Sequence, residues 1–206
     1  MEITKVEIQK NNADRVNVYI DDKFYCGLYL DTCLKYGIEK GVQIEKDTID
    51  EYILDSEKHT AFNKTMNYLK SALKTRKQVR EYLNKKEYNK ITIDYVLDKL
   101  TEYGYVSDEQ YALSYIETYK NKYGPLRLKA NLIQKGVDKE LVDKCLETNL
   151  NSDDELDSGL EKVASKYLKN KEITPENIAK LVRFLSYRGY EFDSINAYIS
   201  KLRRGE

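Results

Sequence analysis

The sequence predicts a mainly α-helical protein, a tandem array of three three-helix repeats preceded by a small N-terminal β-meander plus helix. Three observations carry this. A spacing of apolar residues recurs at Leu83–Tyr88–Ile93–Val96–Leu97, Leu132–Val137–Val142–Cys145–Leu146 and Leu185–Tyr190–Ile195–Tyr198–Ile199, and each copy is led four residues earlier by Val79, Leu128 or Leu181. A recurring unit of this size marks helical arrays, in which no unit buries its apolar face alone. The first residues follow a different period, alternating polar with apolar in Ile3–Ile8 and Arg15–Ile20, as half-buried strands do. Between the repeats, cap and breaker residues fall where helices must start and stop.

Taken in order, Asn11–Asp14 reads as the first turn, Asp21–Lys23 as the second, and Phe24–Leu28 as a third strand. Such a sheet is too small to stand alone, so it should pack on a helix at about residues 47–58. The first repeat then has helices near 61–72, 76–86 and 90–103, with Thr75 capping the second. Ser107 with Gln110 forms a capping-box pattern for a helix near 108–121. Gly124-Pro125 breaks that helix and seats Pro125 in the first turn of the next, near 125–135. Gly136 ends it and Asp138 opens another through about 148. Asn149–Asp154 is the most linker-like stretch. Helices near 154–170, 174–187 and 191–204 complete the third repeat, with Thr174-Pro175-Glu176 giving cap, first position and dipole-matched acid. Gly136 and Gly189 share a repeat position just past a helix end, where a left-handed backbone is needed. Glu87 holds it in the first repeat, so that turn should differ in shape. The expected divisions are 1–58 for the β-strand and helix module, then 59–104, 105–150 and 151–206 for the repeats.

Composition bounds the chemistry. The chain has 206 residues and a formal net charge of zero. Nineteen Tyr against four Phe and no Trp suits thin cores near solvent, since Tyr buries its ring and wets its hydroxyl; a Tyr-rich surface could also stack on bases. Three Cys without paired spacing and one His argue against a zinc or iron site, and Cys145 occupies a core position. No signal peptide or membrane-length apolar run is visible, so a cytoplasmic protein with reduced thiols is expected. Walker, GxGxxG, nucleophile-elbow and HExxH patterns are missing, which excludes the commonest catalytic classes; no enzyme, metal or cofactor is expected.

Charge is uneven. Residues 1–58 hold 8 basic and 13 acidic side chains, residues 59–130 hold 14 and 8, and residues 131–206 hold 13 and 14. The basic middle is the place to look for phosphate or an acidic partner. Its densest cluster is Lys70, Lys74, Arg76, Lys77, Arg80, Lys85 and Lys86. Lys70 and Lys74 precede a helix N-terminus, and Arg76, Lys77 and Arg80 share a face, a combination suited to phosphate oxygens. Arg127, Lys129 and Lys135 lie on the equivalent helix of the second repeat, Arg183 and Arg188 on that of the third. The first copy offers the best basic surface, and the third reads mostly as extension. The same cations could merely solvate a helix whose other face is buried.

The order Lys74-Thr75, Val79, Arg80, Leu83, then Gly104-Tyr105-Val106-Ser107-Asp108-Glu109 with Tyr111-Ala112, then Gly124, Arg127, Leu132 and Lys135-Gly136-Val137 resembles the RecX family, bacterial regulators of the RecA recombinase. It departs from the usual pattern at Ser107, where an acid is common, and at Glu87, where Gly is common. The resemblance implies a non-enzymatic modulator, and a monomer is expected. It would bind in the groove of the RecA–single-stranded DNA filament and limit its ATPase, extension and strand exchange, with no cofactor and no membrane. Two other classes compete. A stand-alone nucleic-acid reader would need a recognition helix rich in Arg, Asn or Gln, and Asp94-Tyr95-Val96-Leu97-Asp98-Lys99 is too acidic and apolar for one. A protein-binding scaffold would lack a salt-sensitive DNA component.

Overall fold

The computed structural model describes the backbone of residues 1–149 and 153–204 and the side chains of residues 1–149 and 158–204. Among the described residues it has one three-stranded sheet and ten helices, the mainly helical architecture that the periodicities predict.

Strands β1 (Ile3–Gln9), β2 (Asn12–Ile20) and β3 (Lys23–Tyr29) pair antiparallel in sequence order. Val18 lies opposite Val6 on one side and Cys26 on the other. Val16, Val18 and Ile20 are buried together with Ile3 and Leu28, as the period of two requires. Asp21 and Asp22 turn the second hairpin with φ of 49° and 63°, values that match strand twist and that Asp tolerates. The first turn is tighter than the sequence suggests. Asn12–Asp14 belongs to β2, because the pairing of Gln9 with Asn12 carries the ladder past these polar residues.

Helix α1 (Leu30–Tyr36) was not legible in the sequence. Helix α2 (Lys46–Leu69) runs unbroken for 24 residues and replaces the two separate helices expected near 47–58 and 61–72. No Gly or Pro interrupts it, and its β-branched polar residues are absorbed: the Thr60 and Thr65 hydroxyls donate to the carbonyls four residues back, at 2.8 and 2.7 Å. Its first half packs on the sheet, where Ile49 joins the core and Ser56 Oγ accepts the Tyr29 N–H at 2.8 Å. It also packs against α4 of the first repeat.

The remaining helices form the repeats: α3 (Arg76–Lys85) and α4 (Lys90–Glu102) with the end of α2; α5 (Asp108–Tyr119), α6 (Pro125–Gln134) and α7 (Lys139–Asn149); α8 (Asp153–Leu168), α9 (Pro175–Arg188) and α10 (Phe192–Arg204). The repeating apolar positions are buried except Tyr88 and Tyr198, which are half-buried, with Val79, Leu83, Ile93, Val96 and Leu97 filling the first repeat. Leu128, Leu132, Val137, Val142 and Cys145 fill the second, and Leu181, Leu185, Tyr190, Ile195 and Ile199 the third. Of the stretch expected to act as a linker, residues 150–152 lie outside the described residues. The chain divides into two compact units, residues 1–73 with 79–105, and residues 74–78 with the chain from 106 onward.

The turn at Glu87 corrects the expectation of a different shape. Glu87 has φ 61°, the same left-handed region as Gly136 at 92° and Gly189 at 88°. The same bond closes all three turns: Tyr88, Val137 and Tyr190 N–H donate to the carbonyls of Leu83, Leu132 and Leu185, at 3.3, 3.1 and 3.2 Å. Glu87 is exposed, so only its backbone conformation opposes the side chain. At the other two positions a second constraint operates, described below.

Tyr190 sits 5% exposed in the third core, and its hydroxyl has no partner among the described residues. Burial pushes the phenol up to about 12. The folded state therefore holds this proton above pH 10 where the unfolded chain releases it, so stability falls as pH rises through 10 toward 12. Tyr190→Phe is expected to leave neutral stability equal or about 1 kcal/mol higher, since it deletes an unmet buried donor. It should also flatten the alkaline limb of a urea-unfolding series between pH 8 and about 11. A loss of stability at pH 7 would show that the hydroxyl has a partner after all.

Candidate nucleic-acid interface

Thr75 organises the start of α3. Its Oγ1 accepts the Gln78 N–H at 3.2 Å, while Gln78 Oε1 accepts the Thr75 N–H at 3.0 Å, a reciprocal capping box. The hydroxyl proton goes elsewhere, to the Lys135 carbonyl at 2.7 Å. The Arg76 N–H donates to Asp108 Oδ1 at 2.7 Å. The expected phosphate seat at this helix N-terminus is thus filled from within, by the Asp108 carboxylate that the helix dipole favours there.

The same joint recurs one repeat later. Gly124 occupies the repeat position of Thr75, and its own N–H donates to the Arg188 carbonyl at 2.9 Å, with the Leu126 N–H donating to the Gly189 carbonyl at 3.1 Å. In each case the start of one repeat's middle helix docks on the turn after the middle helix of the next. This is the second constraint on the glycines. A Cβ on Gly136 would lie 2.4 Å from Lys77 Cβ, and one on Gly189 would lie 2.4 Å from the Arg127 backbone nitrogen.

Several cations picked from the sequence are therefore committed inside the fold. Lys77 Nζ donates to the Gln134 carbonyl at 3.1 Å beside Gly136. Arg80 pairs with Asp94 at 2.9 Å, and Lys129, at the same repeat position, pairs with Asp143 at 2.5 Å, each tying middle helix to last helix. Lys86 lies 5.9 Å from the Tyr82 ring centroid, Lys135 5.7 Å from that of Tyr115, and Arg127 5.3 Å from that of Tyr187. Lys70, Lys85 and Arg183 are exposed, while Lys74 and Arg76 are half-buried. The exposed cations Lys70, Lys85 and Arg183 can meet phosphate; those paired with a carboxylate, Arg80 and Lys129, would first have to break an ion pair.

A cleft of about 310 Å³ in the first unit, lined by Lys35, Lys58, Lys99, Asp31, Asp55 and aromatic rings, is largely self-neutralised. Lys35 meets Asp55 at 3.0 Å and Lys99 meets Glu102 at 2.8 Å. Hydrogen bonds to Tyr36 and Asp55 raise the Lys35 pKa, and the bond to Glu102 raises that of Lys99.

The sequence reading passed over Lys122, Lys162 and Lys166, which join Arg188 around a second cleft. It also passed over four tyrosines at every fourth residue, Tyr111, Tyr115, Tyr119 and Tyr123, whose neighbouring ring centroids are 6.3, 4.5 and 5.9 Å apart. Their spacing was readable as one face of a helix.

Comparison with known proteins gives a match for the sheet module and one for each repeat. Residues 1–45 match the family described as the Regulatory protein RecX N-terminal domain; residues 61–100, 107–146 and 153–199 match the first, second and third three-helix domains of RecX. The Regulatory protein RecX of Clostridium perfringens (strain 13 / Type A) is 34% identical over 99% of this chain and 97% of its own length. That of Clostridioides difficile (strain 630) is 32% identical over 97% of this chain and 95% of its own. A solved structure described as the crystal structure of regulatory protein RecX shares the fold, with a TM-score of 0.74 at 21% identity over 95% of this chain and 97% of that one. With matches covering the sheet module and every repeat, and full-length relatives above 30% identity, the chain belongs to the RecX family of regulatory proteins.

Proposed function

We propose that this protein is a non-enzymatic, cytoplasmic regulator that binds the RecA–single-stranded DNA filament as a monomer and restrains its ATPase, extension and strand exchange. The observation that carries this reading is the match to the RecX family through the sheet module and all three repeats, at 34% identity to a full-length regulatory relative. The distribution of charge supports it. A filament groove exposes both protein and phosphate, and an acidic sheet module beside basic helices offers something to each.

The test is RecA ATPase on single-stranded DNA with the protein added below one copy per RecA. The rate is expected to fall, and folded protein that leaves it unchanged would remove the proposal. The side chains of Lys77 and Arg80 tie the fold together, so charge reversal is best made at exposed Lys70 and Lys85. Weaker inhibition by that double variant is expected, with a steeper loss as salt is raised in the wild type than in the variant.

A further inference from the structure

The second and third repeats enclose a cleft of about 390 Å³ lined by Lys122, Lys162, Lys166 and Arg188 together with Tyr167 and Phe184. Unlike the cleft in the first unit, it has no carboxylate in its wall among the described residues. Among the described residues its four cations form no ion pair; their polar contacts are neutral. Lys162 Nζ donates to Asn121 Oδ1 at 3.3 Å, and Arg188 Nη1 donates to the Lys122 carbonyl at 3.2 Å. Four like charges around one small cleft repel, and an incoming anion relieves that cost.

The rings beside them specify the anion further. Tyr167 and Phe184 stack with centroids 4.5 Å apart and planes 27° from parallel, and Lys171 Nζ lies 3.4 Å from the Tyr167 centroid, an ammonium that a base on that ring would displace. The Arg188 guanidinium lies 4.9 Å from the Phe184 centroid and 5.7 Å from that of Tyr123, and Lys122 Nζ lies 5.2 Å from the Tyr123 centroid. Tyr123 is the last of the four tyrosines, lying in the turn just past the end of α5. Cations interleaved with aromatic rings serve a ligand that alternates phosphate with an unstacked planar base. A duplex hides those base faces, and an acidic peptide would leave the rings unused.

We propose that this cleft is a single-stranded nucleic-acid site, with Lys122, Lys162, Lys166 and Arg188 taking the phosphates and Tyr167, Phe184 and Tyr123 taking the bases. It deepens the filament-binding reading by naming where the strand is held, and it places that contact in the repeat that the sequence presents as mere extension. The contacts read backbone and ring faces, so binding is independent of sequence.

The experiment is fluorescence anisotropy of labelled oligo-dT with the full chain and no RecA. The double reversal Lys162→Glu and Lys166→Glu is expected to weaken binding at low salt by at least about tenfold. It should also flatten the log–log salt slope by about 1.4, which is ~0.7 for each lost phosphate contact on a single strand. The same charge change at Lys139 and Lys144, exposed on the same unit, serves as control and should cost less than about threefold. If the cleft reversal does not change affinity, or the control weakens it equally, the site is overturned. Lys162→Gln with Lys166→Gln replaces the reversal if circular dichroism shows that the reversal unfolds the protein. Tyr167→Leu should weaken oligo-dT while sparing polyphosphate. If both ligands are spared, the base contact is disproved, and displacement of oligo-dT by poly-glutamate at equal charge would make the cleft a protein-binding site instead. Because RecA is absent, these outcomes are independent of the ATPase result. Cleft-dependent binding without any effect on ATPase would refute the filament reading alone, and an unchanged cleft variant with normal inhibition would refute this site alone.

Discussion

Gly189→Ala is expected to destabilise the protein by about 3 kcal/mol, combining about 1–2 for a side chain in left-handed backbone with about 1–3 for overpacking. The geometry explains the size. The added Cβ would meet the Arg127 N, Cβ and Cα at 2.4, 2.5 and 2.9 Å, and backbone atoms cannot swing away as a flexible side-chain tip can. Yielding would pull the first turn of α6 off the turn that receives it, breaking the bonds from Gly124 to Arg188 and from Leu126 to Gly189. Glu87→Gly at the equivalent turn should do the reverse, stabilising by up to about 1 kcal/mol, because φ 61° is relieved at an exposed position. Urea unfolding followed by circular dichroism measures both. With a slope of about 1–3 kcal/mol per molar urea, the midpoint should fall by about 1–3 M for Gly189→Ala. Equal effects at the two positions would mean that backbone conformation alone selects glycine. The consequence reaches the cleft, because Arg188 precedes Gly189 and lines it.

That contrast also shows what the sequence could and could not say. The apolar period shows which helix faces are buried, and Leu83, Leu132 and Leu185 are each fully buried where it places them. Caps are equally local, so Thr75, Ser107 and Thr174 are all found accepting N–H bonds from their own first turns. Helix α1 escaped because seven residues are too few to show a period, and α2 was cut in two because polar β-branched residues look like a break until their hydroxyls find carbonyls. Charge was the least legible property. Whether a lysine faces solvent or an aspartate depends on partners distant in the chain, so Arg80 and Lys129 read as free cations until Asp94 and Asp143 are placed beside them. The converse error hid Lys162 and Lys166, which lie in a near-neutral stretch of sequence although among the described residues no acid joins them in the cleft.

Thr75→Val should cost about 2–4 kcal/mol, more than a helix cap alone explains. The side chain is fully buried, and valine keeps its shape, so no cavity term enters. What disappears is a hydroxyl that accepts the Gln78 N–H and donates to the Lys135 carbonyl. Loss of an N-cap accounts for about 1 kcal/mol, and leaving the partner carbonyl without a donor adds about 1–3. Ser107→Ala provides the scale: Ser107 accepts only the Gln110 N–H at an exposed helix start, and its loss should cost about 1 kcal/mol. Thr75→Ser keeps both bonds and should stay within about 1 kcal/mol of wild type. Hydrogen exchange locates the effect, with the Gln78 amide losing protection in Thr75→Val and retaining it in Thr75→Ser. If Thr75→Val costs no more than Ser107→Ala, the bond to Lys135 contributes nothing, and the docking of the first turn of α3 on the second repeat must rest on the Arg76–Asp108 bond and the Lys77 contacts at Gly136 and Gln134.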